Sequence, residues 1–218
     1  KICEEIDYMP EEDQARITNL QKLMDLMEWI NQQTETAWSG TCGSNARWNL
    51  DYDGNLTITG TGGIGNASSP EQPWRDFRRQ IGTVKIGEGI RWIGQYAFCV
   101  TDTSTIKFPS TLTAIYDGAF YKCNRLTSVT LPNGVRELGT CAFSDCSSLS
   151  YVSFNSRLQK IGDLAFDNCN LWTVTIPGNV KTIGLGAFEG NRLSNITIQN
   201  GVEEIGGLAF ANNTVLQS

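Results

Sequence analysis

Apolar residues recur along this chain at a nearly fixed interval. The clearest marker is an alanine-phenylalanine pair that occurs six times, 22 or 23 residues apart, at Ala97-Phe98, Ala119-Phe120, Ala142-Phe143, Ala165-Phe166, Ala187-Phe188 and Ala209-Phe210. A period in this range is typical of a solenoid, in which each coil buries its apolar side chains only against neighbouring coils. The sequence therefore predicts a repeat protein with one phenylalanine per coil stacked in its interior.

Each coil contains two short strand patterns. In the coil that begins at Ile161, one strand is predicted over residues 174–176 and a second leads into Ile183. Prolines follow the first strand in three coils, at positions where a missing N–H does not interrupt the ladder. Equivalent strands of successive coils are expected to stack in parallel about 4.8 Å apart. The 22 glycines are expected at the corners, where the backbone needs positive φ.

Residues 37–80 have a different pattern, which predicts a β-rich amino-terminal cap. Apolar and polar residues alternate around Trp48, residues 51–55 supply turn chemistry, and the alternation resumes at Leu56, as in a β-hairpin. The glycine-rich segment 60–65 superficially resembles a phosphate-binding loop. It lacks the lysine-serine/threonine pair and the following helix of such loops, so no nucleotide site is predicted.

Residues 1–36 are predicted to hold an amphipathic helix over residues 11–33. Ile17, Leu20 and Met24 recur on one face, and three carboxylates occupy the first turn, where the helix dipole favours negative charge. Two interpretations are open: the helix packs on the end of the solenoid, or it lies on a membrane surface. Its acidic polar face disfavours the membrane, because helices of that kind are usually basic.

The charge of the chain is concentrated in those first residues. Residues 1–36 carry the entire formal net charge of −6, so residues 37–218 are neutral overall and have no basic excess with which to bind nucleic acid. No histidine is present, which excludes Ser-His-Asp and Cys-His catalysis and histidine-ligated metal sites. No apolar run approaches the ~18 residues of a membrane span. Because the chain opens at Lys1, we expect a mature form from which a signal peptide has been removed.

Three cysteines occupy one repeat position. Cys123, Cys146 and Cys169 each follow the phenylalanine by three residues, and Asn191 and Asn213 hold the same position in the next two coils. This alternation predicts a buried ladder in which a thiol or an amide donates to loop carbonyls. A linear row of thiols cannot form a tetrahedral metal site, so no metal is expected.

The remaining cysteines fall outside that ladder. Cys99 and Cys141 are predicted to be half-buried thiols. Cys3 and Cys42 flank the predicted helix and are the candidates for a disulfide that ties it to the cap, although connectivity does not follow from sequence.

Alternation along the first strand of each coil places one set of side chains outside, and these are the candidate ligand-binding residues. They are mostly hydroxyl-bearing, with two lysines at one end: Lys85, Thr105, Lys107, Ser128, Thr130, Tyr151, Ser153, Thr173, Thr175, Asn195 and Thr197. The β-propensity of threonine alone explains most of them. Tyr151 and the two lysines are therefore the strongest candidates for recognition.

The same face carries no pair of carboxylates, so general acid–base catalysis is not expected there. A hydrolase that uses Asp163, Asp167 and Glu189 is the weakest hypothesis, because these residues are predicted at corners and not together on one face of the coils. The chain is expected to be no enzyme and to need no cofactor.

The repeats resemble the BspA-like leucine-rich repeats of bacterial cell-surface proteins over residues 81–218, as in IGDLAFDNCNLWTVTIPGNVKTIGLGAF. The earlier segment SGTCGSNARWNLDYDGNLTITGTGGIG, with Pro73-Trp74, resembles the amino-terminal cap that precedes such repeats. The resemblance implies a secreted or surface-anchored chain that binds host proteins, matrix or other bacteria, without catalytic residues. The chain departs from the pattern of these repeats in two places.

The first departure is in the first coil, where Thr101 and Thr103 replace the cysteine and leucine of later coils. This coil is therefore expected to be distorted.

The second departure is at the last coil, which stops near Val215 and Leu216 with no capping segment and is expected to leave an open sheet edge. The overall prediction is a leucine-rich-repeat solenoid of about six coils with a β-hairpin cap and a preceding helix. Its predicted role is non-catalytic binding of a protein or cell-surface macromolecule, outside the cell or on its surface. The alternative is a structural spacer or self-assembly module that forms a homodimer through the open edge.

Overall fold

The computed structural model of this protein describes residues 19, 22, 38–65, 72–213 and 215. The chain divides into two compact units, Lys1–Ala37 and Trp38–Ser218. In the first unit only Asn19 and Lys22 are described, and both have helical backbone. The rest of the helix expected over residues 11–33 lies outside the described residues, and this element stays a prediction.

The second unit is a β-solenoid whose coils contribute two strands each, as the Ala-Phe period predicts. In the described residues the strands are β1 (Trp38–Thr41), β2 (Ala46–Leu50), β3 (Asn55–Gly60), β4 (Gly62–Ile64), β5 (Thr83–Ile86), β6 (Ile90–Ile93), β7 (Thr105–Lys107), β8 (Ala114–Ile115), β9 (Ser128–Thr130), β10 (Glu137–Leu138), β11 (Tyr151–Ser153), β12 (Lys160–Ile161), β13 (Thr173–Ile176), β14 (Thr182–Ile183), β15 (Asn195–Ile198) and β16 (Glu204–Ile205). A short 3-10 helix, Arg75–Phe77, precedes the first complete coil.

The front of the solenoid is built from β1, β2, β3 and the odd-numbered strands after them, and their outward surface is the front face. Strands β1 to β3 form an antiparallel meander, and β3 then pairs in parallel with β5, so the cap and the first coil share one sheet. That sheet ends at β7, and β9–β11 and β13–β15 form separate parallel pairs. The front ladder is therefore interrupted twice along the axis.

The back of the solenoid is a continuous parallel sheet in the order β16-β14-β12-β10-β8-β6-β4. A glycine follows most of these strands because the coils approach closely there. At Gly162, for example, an added Cβ would lie 2.6 Å from the carbonyl carbon of Gly139 in the previous coil. Tyr116 is the exception in this position, and its side chain projects into solvent.

The core is organised around the predicted column of phenylalanines. Successive rings from Phe98 to Phe210 stack with centroids 5.1–5.4 Å apart and ring planes within 3–9° of parallel. Trp74 extends the column at its amino-terminal end, with its centroid 5.0 Å from that of Phe98. Burial of each ring contributes about 1.5–3 kcal/mol, which makes this column the main apolar component of the fold.

The predicted ladder of cysteines and asparagines is confirmed. The thiols of Cys123, Cys146 and Cys169 donate to the phenylalanine carbonyl of the preceding coil at 3.1–3.2 Å. The amides of Asn191 and Asn213 make the equivalent bond at 2.7 and 3.0 Å. Each donor gives a buried carbonyl of the preceding coil a further hydrogen-bond partner, and the bond joins the two coils. Buried polar groups are stable only when they are hydrogen-bonded.

The first coil is not distorted, contrary to the expectation from Thr101 and Thr103. The Thr101 hydroxyl lies 2.9 Å from both the carbonyl of Phe98 and the hydroxyl of Thr103. Strand β7 also pairs with β5 in regular register. The two buried hydroxyls therefore satisfy each other, and threonine fits the coil as well as cysteine and leucine do.

Two corner residues in every coil have positive φ, and most of them are not glycine. One set directly precedes the alanine of each Ala-Phe pair: Tyr96, Gly118, Cys141, Leu164, Gly186 and Leu208. The other follows the phenylalanine by two residues: Val100, Lys122, Asp145, Asn168, Gly190 and Asn212. The expectation that glycine holds the corner positions is thus wrong for most coils. In every coil before the last, the N–H of each of these residues donates to a carbonyl of the next coil.

Candidate functional site

The front face brings all the predicted binding residues into two parallel rows. The central row consists of one outward residue from each front strand: Ser39, Asn49, Thr57, Lys85, Lys107, Thr130, Ser153, Thr175 and Thr197. The second row lies two residues earlier on each strand after the hairpin: Asn55, Thr83, Thr105, Ser128, Tyr151, Thr173 and Asn195. Residues within one sheet are paired in register, and those on either side of a break hold equivalent positions. Neither row contains a carboxylate.

Two lysines meet in the central row. Lys85 and Lys107 are register partners on β5 and β7, and both side chains are exposed. Neither belongs to an ion pair among the residues described, where the pairs are Arg79–Asp102, Lys122–Asp145 and Lys181–Glu203. Like charges directly across a strand pair destabilise a sheet. These lysines therefore give this part of the front face a positive potential that the fold itself does not neutralise.

A third cation lies near them and was missed in the sequence. Arg47 is exposed on β2 and pairs in register with Thr59 of β3. Strand β3 is the direct neighbour of β5, which carries Lys85. The alternation around Trp48 places Arg47 outside, but the sequence predicts the cap only as a fold element and not as part of the binding surface.

Two exposed aromatic side chains lie in or next to the front strands of the carboxyl-terminal half. Tyr151 in the second row is 55% exposed, and Trp172, just before β13, is 51% exposed. Strand alternation did not select Trp172, because it precedes the strand. A signal was present, since the equivalent positions Ser150 and Ser194 of the flanking coils are small and polar. An exposed ring that replaces serine in one coil has no packing role there.

The back sheet carries a groove that was not predicted. It lies over β8, β10 and β12 and has a volume of about 400 Å³. Tyr116 forms one wall, and the strands contribute charges of both signs, including Arg136, Glu137 and Lys160. The lining carboxylate of Asp117 accepts the backbone N–H of Thr140 at 2.8 Å. The groove has no single chemical character, because both signs of charge alternate within it.

The three acids of the hydrolase hypothesis do not converge. Asp163 accepts the N–H of Leu185 at 2.9 Å, which assigns it to a corner of the coil. Asp167 and Glu189 lie in another corner, and they are neighbours there, which the sequence did not predict. Burial raises the pKa of Asp167, and the charges of Asp145 and Glu189 raise it further. The carboxylate of Glu189 accepts the side-chain amide of Asn212 at 2.9 Å.

Burial disfavours the thiolate form of three cysteines outside the donor ladder. Burial raises the pKa of Cys42 to about 12 and that of Cys99 to about 11, and it raises the pKa of the half-buried Cys141 as well. A protonated thiol is neither a nucleophile nor a metal ligand. Cys42 is a free thiol in the structure, and Cys3 lies outside the described residues, so the predicted disulfide gains no support.

Metal-ligand clusters and membrane-spanning helices are both absent from the described part of the chain. No group of three or more cysteine, aspartate or glutamate side chains there is arranged to hold a metal ion. Within the same residues, no helix has both the length and the apolar composition needed to cross a membrane.

Comparison with solved structures identifies bacterial relatives. A leucine-rich-repeat protein from Eubacterium ventriosum is 26% identical, with a TM-score of 0.57 over 83% of this chain. The T. pallidum leucine-rich-repeat protein is 25% identical, with a TM-score of 0.64 over 82% of this chain and 92% of its own. The pneumococcal vaccine antigen PcpA is 21% identical, with a TM-score of 0.53 over 77% of this chain and 51% of its own, and this likeness shows the fold alone.

The chain spans 43% of the Eubacterium ventriosum protein, less than half its length. No curated protein sequence is similar enough to this chain to count as a match. The sequence model of the BspA type leucine rich repeat region, in contrast, matches residues 77–191 and 113–218 and finds six copies. These residues are the coils that carry the phenylalanine column and most of the front face. The chain belongs to the family of BspA-type leucine-rich-repeat proteins.

Proposed function

We propose that this protein is a non-catalytic binding module that recognises a macromolecular partner through its front face. The observation that carries the proposal is the pair of rows on that face, in which hydroxyl and amide groups surround Lys85, Lys107 and Tyr151 without a carboxylate. An extended surface that crosses many strands suits a long ligand, because solenoids present binding surfaces of this shape.

We also propose an extracellular or cell-surface location. One solved structure with this fold is a leucine rich cell surface protein of Faecalibacterium prausnitzii, 22% identical, with a TM-score of 0.50 over 77% of this chain. That likeness extends to the fold, and the name supports the location by analogy only. Family membership points the same way, because the BspA-like repeats that the sequence resembles belong to bacterial cell-surface proteins.

The test is binding to a panel of extracellular-matrix proteins and to intact cells, with the wild-type chain and a front-face variant. The variant carries Lys85→Glu, Lys107→Glu and Tyr151→Ala. A matched back-sheet variant carries Lys160→Glu and Tyr116→Ala, which alter an exposed lysine and an exposed tyrosine of the other sheet. We expect binding to be lost in the front-face variant and kept in the back-sheet variant. Equal binding by both variants would refute the assignment of the front face.

A second candidate function is self-assembly through the last coil, with a second copy of this chain as the partner. The observation that favours it is the exposure of apolar residues there. Ile198 and Ile205 are exposed, whereas their equivalents Ile176 and Ile183 in the preceding coil are fully buried. Apolar surface that is buried in the preceding coil is a ready contact for another sheet.

Light scattering on dilution tests this candidate. We expect the wild type to form a dimer that dissociates as the concentration falls. The variant Ile205→Lys should be monomeric at all concentrations. The front-face variant is the control and should dimerise like the wild type. A chain that stays monomeric up to millimolar concentration excludes self-assembly.

A further inference from the structure

The positive charge of the front face is local, and its side chains belong to none of the ion pairs formed among the described residues. Lys85 and Lys107 leave adjacent strands, so their stems start about 4.8 Å apart. Arg47 emerges two strands away from Lys85, which places three cations on four neighbouring strands, within roughly 14 Å at this spacing. Threonine or serine stands at the lysine position in the later coils. The charges are therefore not required by the repeat.

Two carboxylates that lie close to these strands in sequence already accept hydrogen bonds from other groups. Asp51, at the hairpin end of the second row, accepts the backbone N–H of Asn55 at 2.7 Å and its side-chain amide at 2.8 Å. Glu88, which follows β5, accepts the N–H and the hydroxyl of Ser110, both at 3.0 Å, and these bonds lower its pKa. An external anion would therefore meet little competition for the lysines.

The rest of the front face is suited to a polyhydroxylated chain. Hydroxyl and amide side chains donate and accept hydrogen bonds, which matches the hydroxyls of a sugar. The exposed rings of Tyr151 and Trp172 offer flat apolar surfaces on which the C–H face of a sugar ring stacks. Tyr151 lies three coil spacings beyond Lys85, about 14 Å along the axis. One extended ligand that crosses the strands would thus reach cations first and aromatic rings next.

Other polyanions fit this surface less well. An extended peptide binds a sheet through free backbone groups at an edge, and the groups of β5 are used in pairing with β3 and β7. A nucleic acid needs a long basic track, whereas this chain has a net charge of −6 and three cations in the cluster. The combination of few cations, many hydroxyls and exposed rings favours an anionic sugar polymer.

We propose that the front face binds a linear sulfated polysaccharide laid across its strands. Lys85, Lys107 and Arg47 bind sulfate groups, the hydroxyls of the two rows bind sugar hydroxyls, and Tyr151 and Trp172 stack on sugar rings. This inference rests on the proposed function, because it names the chemical class of the ligand for the same face.

The test is titration calorimetry of the intact chain with heparin, with chemically desulfated heparin and with uncharged dextran. We expect heparin to bind, desulfated heparin to bind at least tenfold more weakly, and dextran not to bind. The variant Lys85→Glu/Lys107→Glu should lose at least tenfold in heparin affinity. The variant Lys85→Gln/Lys107→Gln should reduce the slope of log affinity against log salt by roughly two, one for each lost cation. Trp172→Ala should weaken binding while leaving that slope unchanged.

The controls are Lys160→Glu and Tyr116→Ala on the back sheet, which should bind heparin like the wild type. All substituted side chains are exposed, and circular dichroism verifies that each variant is folded. Heparin binding that survives in Lys85→Glu/Lys107→Glu, or that is lost in Lys160→Glu, overturns the site. Equal affinity for heparin and its desulfated form, or tighter binding of poly-L-glutamate, overturns the ligand class.

One outcome separates this inference from the proposed function. If heparin does not bind, while a matrix protein binds the wild type and not the front-face variant, the sulfated polysaccharide is wrong and the front face remains a binding surface. If the front-face variant keeps every interaction of the wild type, both proposals fail together.

Discussion

The indole of Trp74 stacks on the ring of Phe98 with the two planes 9° apart and the centroids 5.0 Å apart. Its Nε1–H donates to the carbonyl of Ala97 at 3.0 Å, so the buried nitrogen is satisfied. Trp48 packs edge-on against the same indole, with centroids 6.1 Å apart. Trp74 thus closes the amino-terminal end of the phenylalanine column and joins the hairpin to the repeats.

The first prediction concerns this closure. Trp74→Ala should lower the free energy of unfolding by about 3–5 kcal/mol, because it opens a cavity beneath Phe98 and removes a buried hydrogen bond. Phe210→Ala, at the partly buried end of the same column, is the control and should cost less. Urea unfolding monitored by circular dichroism measures both losses. Equal losses at the two ends would show that Trp74 does not close the core.

The second prediction concerns the backbone at Val100. Its φ of 61° is unfavourable for a β-branched residue, and Asn168 and Asn212 hold the equivalent positions in later coils. Val100→Asn should raise the free energy of unfolding by about 1 kcal/mol, because asparagine tolerates the left-handed conformation. The N–H of Val100 donates to the carbonyl of Tyr121 at 2.8 Å, and this bond is kept in the variant.

Val100→Ala is the matched control for that prediction. Alanine removes the same branched methyl groups but keeps the Cβ that clashes at positive φ, so it should bring little gain. The urea midpoints of the two variants and the wild type give the comparison. A gain from alanine as large as that from asparagine would assign the effect to packing.

The third prediction concerns the donor ladder. Cys146→Asn should change the free energy of unfolding by less than about 1 kcal/mol, because asparagine donates to the same kind of carbonyl at Asn191. Cys146→Val keeps an apolar side chain but removes the donor to Phe120, and it should cost about 1 kcal/mol. Thermal unfolding of both variants is the measurement. If Cys146→Asn is less stable than Cys146→Val, the hydrogen bond from position 146 does not stabilise the fold as the ladder requires.

The fourth prediction is a pH dependence at Asp167. Its pKa is raised by burial and by the charges of Asp145 and Glu189. A carboxyl whose pKa is higher in the folded than in the unfolded chain stabilises the fold when protonated, and this contribution is lost as the pH rises through the folded pKa. Asp167→Asn should therefore raise the free energy of unfolding at pH 7, with a gain that disappears below the unfolded pKa of about 3.9.

Unfolding in urea at pH 7 and near pH 4 measures this gain. Asp53→Asn at the exposed hairpin turn is the control and should have no comparable effect. A stabilisation by Asp167→Asn that is the same at both pH values would mean that charge is not its cause.

The sequence predicts well those features in which a given position of the repeat has the same surroundings in every coil. Each phenylalanine meets the same two neighbours in the column, and each cysteine or asparagine of the ladder meets the same carbonyl. A residue type that recurs at the fixed period therefore indicates a buried position. Alternation within a strand likewise separates Val174, which is buried, from Thr173 and Thr175, which are exposed.

The features that were missed depend on relations that local patterns do not encode. The sequence predicts Trp74 as an apolar residue of the cap, but its indole joins the phenylalanine stack from outside the repeat, so no period predicts that contact. The positive φ of Val100 follows from the hydrogen bond to Tyr121 in the next coil, and no propensity of valine suggests it. Arg47 enlarges the candidate site because β2 of the cap belongs to the same sheet as β5, and that becomes visible only when strand register is known.

The two interruptions of the front ladder give the solenoid unequal stiffness on its two sides. The continuous back sheet resists bending, because a bend between any two coils would strain the hydrogen bonds between their back strands. At the gaps between β7 and β9 and between β11 and β13, no strand pairing has to break on the front. We therefore expect any change in the curvature of the front face to occur at these two places. The cationic strands lie on one side of the first gap, and Tyr151 and Trp172 lie on either side of the second.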